Sequence, residues 1–142
     1  MCLHGNDIDE STTPVQGSIA WIIPKTRRTG DAGFKGAATL YGPDAKKAGR
    51  KRVGLIMEQK TVARHGMRVL GADDAELGTV TSGGPSPTLG NPIAMASVKS
   101  SVKVGDEVNV EIRKKLRKAK VVKMPFVPTK YYKGPEKVVN KE

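Results

Sequence analysis

The chain has 142 residues and a formal charge of +11 at neutral pH, with a sequence pI of about 9.9. This length favours one domain, or one domain with part of another, and a hydrophobic fraction of 37% supports only a modest core. No run of about 18 apolar residues is present, so no transmembrane helix is expected. The acid-containing first ten residues match neither a secretory signal nor a transit peptide, and the single cysteine, Cys2, excludes an internal disulfide framework.

Most of the positive charge falls in residues 46–52, in residues 113–120 and in the C-terminal tail. A basic protein is compatible with a nucleic acid, a membrane surface or a polyanionic ligand as partner. Basic composition by itself, however, predicts solubility and non-specific binding rather than a function. Solvated turns and chain ends are therefore the favoured interpretation of these stretches, and a nucleic-acid-binding face is the alternative.

The N-terminal part contains a helix-start pattern. Thr13 can cap a helix, Pro14 suits the first helical position, and Gln16 occupies the reach-back position of a capping box. Gly17 would keep this helix short. The apolar run that follows, residues 18–23 (SIAWII), predicts a buried strand.

A second short helix is predicted at residues 33–41 (GFKGAATLY), because Phe34, Ala38 and Tyr41 fall at helical spacing. The stretch 46–51 (KKAGRK) that follows is basic and contains a glycine. Its composition predicts a linker and makes it the best candidate for a domain boundary.

From residue 52 onward the sequence is typical of short strands. Residues 52–58 (RVGLIME) and 107–112 (EVNVEI) alternate between two faces, and the second run has its apolar residues on one side. Further strands are predicted at residues 61–70, where Gly66 would form a bulge, and at residues 77–81, 93–98 and 119–124. Short strands at regular spacing, with turn residues between them, favour a small antiparallel barrel or jelly roll.

Residues 78–98 (GTVTSGGPSPTLGNPIAMASV) predict a strand, a rigid loop and a second strand. Gly83, Gly84 and Gly90 permit backbone angles that other residues avoid, while each proline fixes φ and removes a hydrogen-bond donor. A loop with these constraints loses little entropy on folding and can hold one shape.

Standard motifs of catalytic and metal sites are mostly absent. The sequence has no Walker A loop, no GxGxxG, no HExxH and no CxxC. His4 and His65 lie far apart and lack neighbouring ligands, so each is interpreted as a surface or packing residue rather than a metal ligand. Nothing near Cys2 would lower its pKa, which argues against a nucleophile.

Two other groups could carry chemistry. Asp7, Asp9 and Glu10 could form a general acid/base group, but carboxylates of a loop and a helix start, favoured by the helix dipole, are the preferred interpretation. Gly83 and Gly84 could form an anion-binding nest, although a plain structural turn fits them better.

Arg52 and the pair Tyr131-Tyr132 are the more informative candidates. Arg52 is predicted on the strand face opposite Val53, so its guanidinium should end in a groove or at an interface, where it could bind a carboxylate bidentately. A salt bridge at the barrel rim is the equal alternative for Arg52. The two tyrosines follow a proline-rich extended stretch and could either hold the tail on the barrel or stack on a flat heterocycle.

Three separate stretches carry a resemblance to a known family. They are residues 6–21 (NDIDESTTPVQGSIAW), residues 78–98 and residues 123–132 (KMPFVPTKYY). In this order they resemble the T-protein of the glycine cleavage system, an aminomethyltransferase of mitochondria and bacteria. Motifs spread over nearly the whole chain make the resemblance specific.

The resemblance implies both a reaction and a fold. Members of this family transfer a methylene group from an aminomethyl-lipoyl arm, carried on H-protein, to tetrahydrofolate, and they release ammonia. They fold as three domains around a folate channel, and the last domain is a jelly-roll-like β-barrel. This chain resembles only the C-terminal part, so residues 1–47 would be the tail of the middle domain and residues 48–142 the barrel domain.

The resemblance also implies site residues. Arg52 and Tyr131 match positions that line the family's folate site on the side of the glutamate tail, and Arg27 is a weaker match in a basic run. The family's catalytic Asp lies in the N-terminal domain, so no catalytic residue is expected in this chain. The chain should therefore be inactive without an N-terminal partner.

We therefore predict a mainly β fold, with a jelly-roll-like antiparallel β-barrel preceded by a truncated α/β segment. The expected cofactors are tetrahydrofolate and the lipoyl group of H-protein, and the expected partners are H-protein and the N-terminal T-protein domain, without a membrane or nucleic acid. The mitochondrial matrix is the compartment that the resemblance implies, or the cytoplasm if the source is bacterial. Two alternatives stay open: a folate-binding homologue without glycine cleavage activity, and a basic nucleic-acid-binding module.

Overall fold

The computed structural model describes residues 2–43, 48–132 and 134. Its strands are β1 (Arg50–Met57), β2 (Arg68–Leu70), β3 (Glu76–Gly84), β4 (Ile93–Lys99), β5 (Glu107–Ile112) and β6 (Lys115–Val122). Two 3₁₀ helices, Ala20–Ile22 and Lys25–Arg27, and the short helix α1 (Ala37–Tyr41) precede them. None of the helices in these ranges has the length and apolar character needed to cross a membrane.

The strands form a closed barrel in the order β1-β4-β3-β2-β5-β6, and every neighbouring pair is antiparallel. β1 pairs with β4 along most of its length and with β6 from Gly54 to Met57, which closes the barrel. β2, β3 and β4 follow one another in sequence and lie side by side, and β1 returns to pair with β4. This is a Greek-key arrangement. The predicted mainly β fold with an antiparallel barrel is therefore confirmed.

The barrel interior is filled by small aliphatic side chains. The alternation predicted for β5 is confirmed, since Val108, Val110 and Ile112 are buried. On β1 the buried residues include Leu55 and Met57, both fully enclosed. No aromatic residue of the described part belongs to this core, so the barrel depends on close packing of Val, Ala, Leu, Ile and Met.

The predicted strand, loop and strand of residues 78–98 are confirmed as β3, a connecting loop and β4, although β3 continues through Gly84. Two strands approach very closely at Gly78, where a Cβ atom would meet the backbone oxygen of Ser97 and lie 2.7 Å from the Cα atom of Val98. The register between β3 and β4 shifts between Val80 and Ser82, which marks a bulge at this point.

The N-terminal segment, defined as residues 2–43, is attached to the beginning of β1. The backbone N–H of Arg52 donates to the carbonyl of Gln16 at 2.9 Å, and the Ser18 hydroxyl donates to the carbonyl of Arg52 at 3.3 Å. β6 pairs with β1 only from Gly54 onward. Gln16 therefore satisfies a backbone donor that the barrel itself leaves unpaired.

The strand predicted for residues 18–23 is wrong. The run contains the 3₁₀ helix Ala20–Ile22, and Trp21 is 76% exposed. A short apolar run does not by itself distinguish a strand from other buried structure. β4 pairs with β1 from Arg50 to Ile56 and β6 pairs with it from Gly54 to Met57, so only a short part of one β1 edge is left for the N-terminal segment.

Two other strand boundaries and one predicted bulge need correction. The strand predicted at residues 61–70 is reduced to Arg68–Leu70, and Gly66 adopts a φ of 83° before the strand rather than in a bulge. β6 begins at Lys115 rather than after a basic corner, because Arg113 and Lys114, with φ values of 53° and 62°, form the whole turn.

The N-terminal helices are shorter than predicted. The capping-box contacts are present, with the Thr13 N–H 3.0 Å from the Gln16 Oε1 and the Gln16 N–H 3.2 Å from the Thr13 Oγ1, but turns follow instead of a helix. α1 begins only at Ala37, after Gly36 with a φ of 90°. Residues 46 and 47 of the predicted linker and residues 135–142 of the tail lie outside the described residues, and the division at residues 47 and 48 stays a prediction.

Candidate functional site

A groove of about 980 Å³ runs along the outside of the barrel. Its walls are the N-terminal segment, the outer faces of β1 and β4, the loop after β3, and the chain that follows β6. We call this cavity the outer groove, and it is lined by Cys2, Ile8, Ser18, Ile19, Trp21, Lys51, Arg52, Val53, Ser86, Thr88, Ile93, Met95, Val104, Val122, Lys123, Met124, Pro125, Phe126 and Val127.

Gly54 explains why the chain after β6 can form one wall of the outer groove. A Cβ atom at Gly54 would lie 2.9 Å from both the Met124 Cγ and the Phe126 Cε1. The absence of a side chain lets residues 124–126 cross the outer face of β1. Arg52 lies two residues earlier on the same face, so its side chain extends past this crossing into the groove.

Arg52 is half-buried and held by two contacts that come from different parts of the chain. Its Nε donates to the Gly17 carbonyl at 2.8 Å, and its Nη1 lies 3.2 Å from the Met95 sulfur. A guanidinium has five N–H donors, so most of its donor capacity is not used by these contacts. The sequence left two interpretations of Arg52 open, a groove or interface and a salt bridge at the barrel rim, and its position agrees with the groove.

Among the residues that the structure describes, no carboxylate forms a salt bridge with Arg52. Within the described ranges the salt bridge recorded is between Arg68 and Glu111, with 2.6 Å between Nη2 and Oε2, and it does not involve Arg52. Lys51 and Lys123 also line the outer groove, and no Asp or Glu is among its described lining residues. The arrangement is suited to an anionic group next to an apolar surface.

The other two predicted site residues do not line this groove. Arg27 ends the second 3₁₀ helix, and its Cζ lies 5.4 Å from the centroid of the Phe34 ring, a cation–π distance. Tyr131 is 79% exposed and its neighbour Tyr132 is 88% exposed. The structure therefore does not bring Arg27, Tyr131 and Arg52 together in one cavity, and their shared role stays a prediction.

The acidic residues near the N-terminus have structural partners. Asp7 is 5% exposed, and its carboxylate accepts hydrogen bonds from the Leu3 N–H at 2.7 Å and the Thr81 hydroxyl at 2.6 Å. Hydrogen bonds from the Ser11 side chain, then from that of Thr12, lower the pKa of the exposed Asp9. The Asp7 carboxylate links the N-terminal segment to β3, and the Asp9 carboxylate stabilises a local turn. The expected helix-dipole role does not apply, because turns rather than a helix follow these residues.

Sequence reasoning missed most walls of the outer groove. Trp21 was predicted to be buried in a strand, whereas its exposed ring lines the cavity. Met95 contacts Arg52 from a position 43 residues away, which no local pattern reveals. The one usable signal was Gly54 in the middle of a strand, since such a glycine often marks a close approach of another chain segment.

The geometry defines a small antiparallel barrel domain whose outer groove is suited to an anionic ligand. Comparison with known proteins then gives its family. Residues 50–128 match the family model described as the glycine cleavage T-protein C-terminal barrel domain, which is more than half of the chain. The chain belongs to this family.

The similar proteins agree with this assignment. The chain is 48% identical over 134 residues to a probable mitochondrial aminomethyltransferase of Schizosaccharomyces pombe, a match that covers 94% of this chain and 34% of that protein. It is 48% identical over 133 residues to the mitochondrial aminomethyltransferase of Gallus gallus, covering 93% of this chain and 33% of that protein. The chain therefore spans about a third of the length of the curated relatives that it matches.

A solved structure is similar as well. The crystal structure of the glycine cleavage system aminomethyltransferase T from Bartonella henselae superposes with a TM-score of 0.85 at 38% sequence identity. The match covers 94% of this chain and 37% of the solved chain. The resemblance predicted from sequence motifs is thus confirmed over the barrel and over most of the N-terminal segment.

Proposed function

We propose that this chain serves in aminomethyl transfer by the glycine cleavage system, in which a methylene group passes from the aminomethyl-lipoyl arm of H-protein to tetrahydrofolate and ammonia is released. The names of its relatives, all aminomethyltransferases, support this proposal. The single structural observation that carries it is Arg52, a half-buried cation without a carboxylate partner in the described structure, facing the outer groove.

In this proposal Arg52 binds the glutamate carboxylates at the end of the folate. A guanidinium fork matches the two oxygens of a carboxylate, and charge-assisted hydrogen bonds of this kind are about twice as strong as neutral ones. The apolar surface beside Arg52, which includes Trp21 and Phe126, can pack against the aromatic part of such a ligand. The groove thus offers a polar anchor and an apolar wall in the arrangement that small-molecule sites usually have.

Tyr131 and Arg27 are proposed as further folate contacts. Tyr131 is highly exposed and available for stacking or for a hydrogen bond from its phenol. Arg27, stacked near Phe34, would supply a second cation on the same ligand. Both would act from outside the outer groove, so they require a ligand, or a second part of the enzyme, that reaches beyond it.

The chain by itself is proposed to be inactive. By family resemblance, the catalytic Asp that orients the reacting folate nitrogen belongs to the part of the relatives that this sequence does not match. No carboxylate is among the described lining residues of the outer groove, and an oriented charge at the reacting atom is a large component of such catalysis. The proposed partners are therefore an N-terminal T-protein portion and lipoyl H-protein. The proposed compartment is the mitochondrial matrix, because the Schizosaccharomyces pombe and Gallus gallus relatives are named mitochondrial, or the cytoplasm if the source is bacterial.

The first test is an activity assay with lipoyl H-protein, tetrahydrofolate and the purified chain. Methylene transfer is expected when a separately produced N-terminal portion of a relative is added, and not without it. Activity of the chain alone would contradict the proposed absence of a catalytic carboxylate. Transfer that does not depend on H-protein would instead favour the folate-binding homologue without glycine cleavage activity.

The second test examines Arg52 directly. Arg52→Lys keeps the charge but removes the planar fork, and it should weaken tetrahydrofolate binding in the reconstituted enzyme by about tenfold. Arg50→Lys is the matched control, because Arg50 is an exposed arginine on the same strand and does not line the groove. Equal binding by both variants would exclude Arg52 as the carboxylate anchor. Tyr131→Phe can be compared with Tyr132→Phe in the same way.

A further inference from the structure

A second pocket, of about 590 Å³, lies at the barrel end formed by the β5–β6 turn and the chain before β2. Five cationic residues dominate its lining, and we call it the cationic mouth: Lys60, Arg64, Arg113, Lys115 and Arg117. The remaining lining residues are Thr61, Val62, Met67 and Ile112. The pocket shares no lining residue with the outer groove.

The strand pattern of β6 explains why cations collect here. Val121 and Ala119 are buried in the barrel core. Since strand residues alternate between faces, Arg117 and Lys115 continue the same inward-facing row towards the end of the barrel. The row therefore changes from apolar to cationic where the core ends, and the apolar floor of the mouth is formed by Ile112 and Met67.

Three of these cations have hydrogen-bond partners in the described structure, and all of those partners are neutral groups. The Arg117 Nη1 donates to the side-chain oxygen of Gln59, and the Arg64 Nη1 donates to the Gly83 carbonyl at 3.2 Å. Lys60 donates to the Gly90 carbonyl. Neutral acceptors satisfy N–H groups but leave the positive charge uncompensated.

The Nε of Arg117 strengthens the argument, because it is buried and has no hydrogen-bond partner among the described residues. A buried donor without an acceptor is unfavourable, because it has lost its hydrogen bonds to water without replacing them. No Asp or Glu is among the described lining residues of the cationic mouth. The mouth therefore combines a strained arginine with several like charges, and a bound anion would offset those charges.

We propose that the cationic mouth binds a small molecule that carries several phosphate or carboxylate groups. The shared chemistry is a cluster of oxyanions, whose oxygens accept hydrogen bonds from guanidinium and ammonium groups. A concave pocket of this size matches a compact ligand. A nucleic acid would instead follow exposed charge along the surface, including the outward-facing Lys118 and Lys120 of the same strand. This inference does not depend on the proposed folate site.

The test is isothermal titration of the whole chain with tripolyphosphate and, separately, with citrate, at about 150 mM salt, where a Debye length of about 8 Å screens charges outside the mouth. Saturable binding of at least one anion is expected. Tighter binding of tripolyphosphate would assign the site to phosphate groups, and tighter binding of citrate would assign it to carboxylates. Amide resonances of residues 60–67 and 113–117 should shift on addition of the anion.

The decisive variant is Arg113→Asn combined with Lys115→Gln. Both residues are exposed, and asparagine tolerates the positive φ of position 113. Loss of two of the five cations should weaken binding by about tenfold or more. The matched control, Lys118→Gln with Lys120→Gln, removes the same charge from the outer face of β6 and should change the affinity less than about twofold.

Three results would overturn the proposal. One is no saturable binding of either anion. Another is an equal loss of affinity in the two double variants, which would show binding to general surface charge. The third is amide shifts confined to residues outside the mouth. A single-stranded oligonucleotide that binds more tightly than tripolyphosphate, and is weakened equally by both variants, would favour a nucleic-acid-binding face instead.

Discussion

Replacing Thr81 by valine should weaken the attachment of the N-terminal segment to the barrel at one defined contact. The Thr81 hydroxyl donates to the Asp7 Oδ1 at 2.6 Å, while the other carboxylate oxygen accepts from the Leu3 N–H at 2.7 Å. Asp7 is only 5% exposed. Valine has nearly the shape of threonine but cannot donate, so the variant leaves one buried oxygen of Asp7 without its partner.

The magnitude follows from the charge and burial of the acceptor. Hydrogen bonds to charged groups contribute about 1.5–3 kcal/mol, and a buried unpaired oxygen retains its full desolvation penalty. Thr81→Val should therefore lower the free energy of unfolding by about 2 kcal/mol. A double-mutant cycle of Thr81→Val and Asp7→Ala should give a coupling energy of about 1.5–2 kcal/mol, because Thr81→Val has little further effect once the Asp7 carboxylate has been removed.

The assay is urea unfolding followed by far-ultraviolet circular dichroism, with the transition midpoint and its slope measured for each variant. Thr79→Val is the matched control, since Thr79 is a half-buried threonine on the same strand and makes no side-chain hydrogen bond within the described structure. It should change the free energy of unfolding by less than about 0.5 kcal/mol. If Thr81→Val were no more destabilising than Thr79→Val, or if the cycle showed no coupling, the contact would not hold the segment.

Three further predictions concern the barrel and the N-terminal turn. Gly78→Ala should lower the free energy of unfolding by about 1–3 kcal/mol or more, because the added Cβ atom would overlap the Ser97 backbone. Gly84→Ala is the control on the same strand, since its Cβ atom would meet no atom within 4 Å and should be tolerated. Urea unfolding midpoints compare the two variants. Leu55→Ala, at a fully buried position, should lower the free energy of unfolding by about 2–5 kcal/mol in the same assay. Hydrogen bonds, chiefly from the Ser11 side chain, lower the pKa of Asp9 in the folded state from its ordinary value of 3.8. The ionised Asp9 therefore stabilises the fold above pH 3.8, and this stabilisation is lost as the pH falls through the folded-state pKa. Asp9→Asn should therefore flatten the acid limb of a stability–pH curve, and an unchanged limb would contradict this.

The barrel could be predicted because its strands carry their own pattern. In β5 the inward and outward residues alternate without exception, and in β1 Leu55 and Met57 occupy the buried face. Prolines and glycines between residues 84 and 92 fixed the position of the β3–β4 loop. Where alternation and turn chemistry agree, local sequence is sufficient to place a strand.

The errors have the opposite cause. Residues 18–23 are apolar enough for a strand, but their conformation depends on which barrel edges are free, and that is a property of the closed sheet. The strand predicted at residues 61–70 contains only three paired residues, because the chain before β2 crosses the barrel end instead of extending the sheet. In both cases tertiary structure overrides local propensity.

The candidate site shows the same limit for a different reason. Arg52 was identified from its strand face, which is local information. Its partners, Gly17 and Met95, lie 35 and 43 residues away in sequence. A groove built from five separate chain segments leaves no spacing pattern, so only the residue type and orientation of Arg52 could be predicted.

The side chain of Arg52 is positioned by more than the barrel. Residues 50–128 match the barrel family model, yet the acceptor that orients the Arg52 Nε, the Gly17 carbonyl, belongs to the N-terminal segment. That segment is attached to the barrel by Asp7, and Ile8, the next residue, lines the outer groove. The Gly17 carbonyl is held against β1 by the neighbouring Gln16 and Ser18, which hydrogen-bond the Arg52 backbone, while Asp7 links the beginning of the segment to β3. The orientation of the guanidinium therefore depends on the N-terminal segment as well as on the barrel.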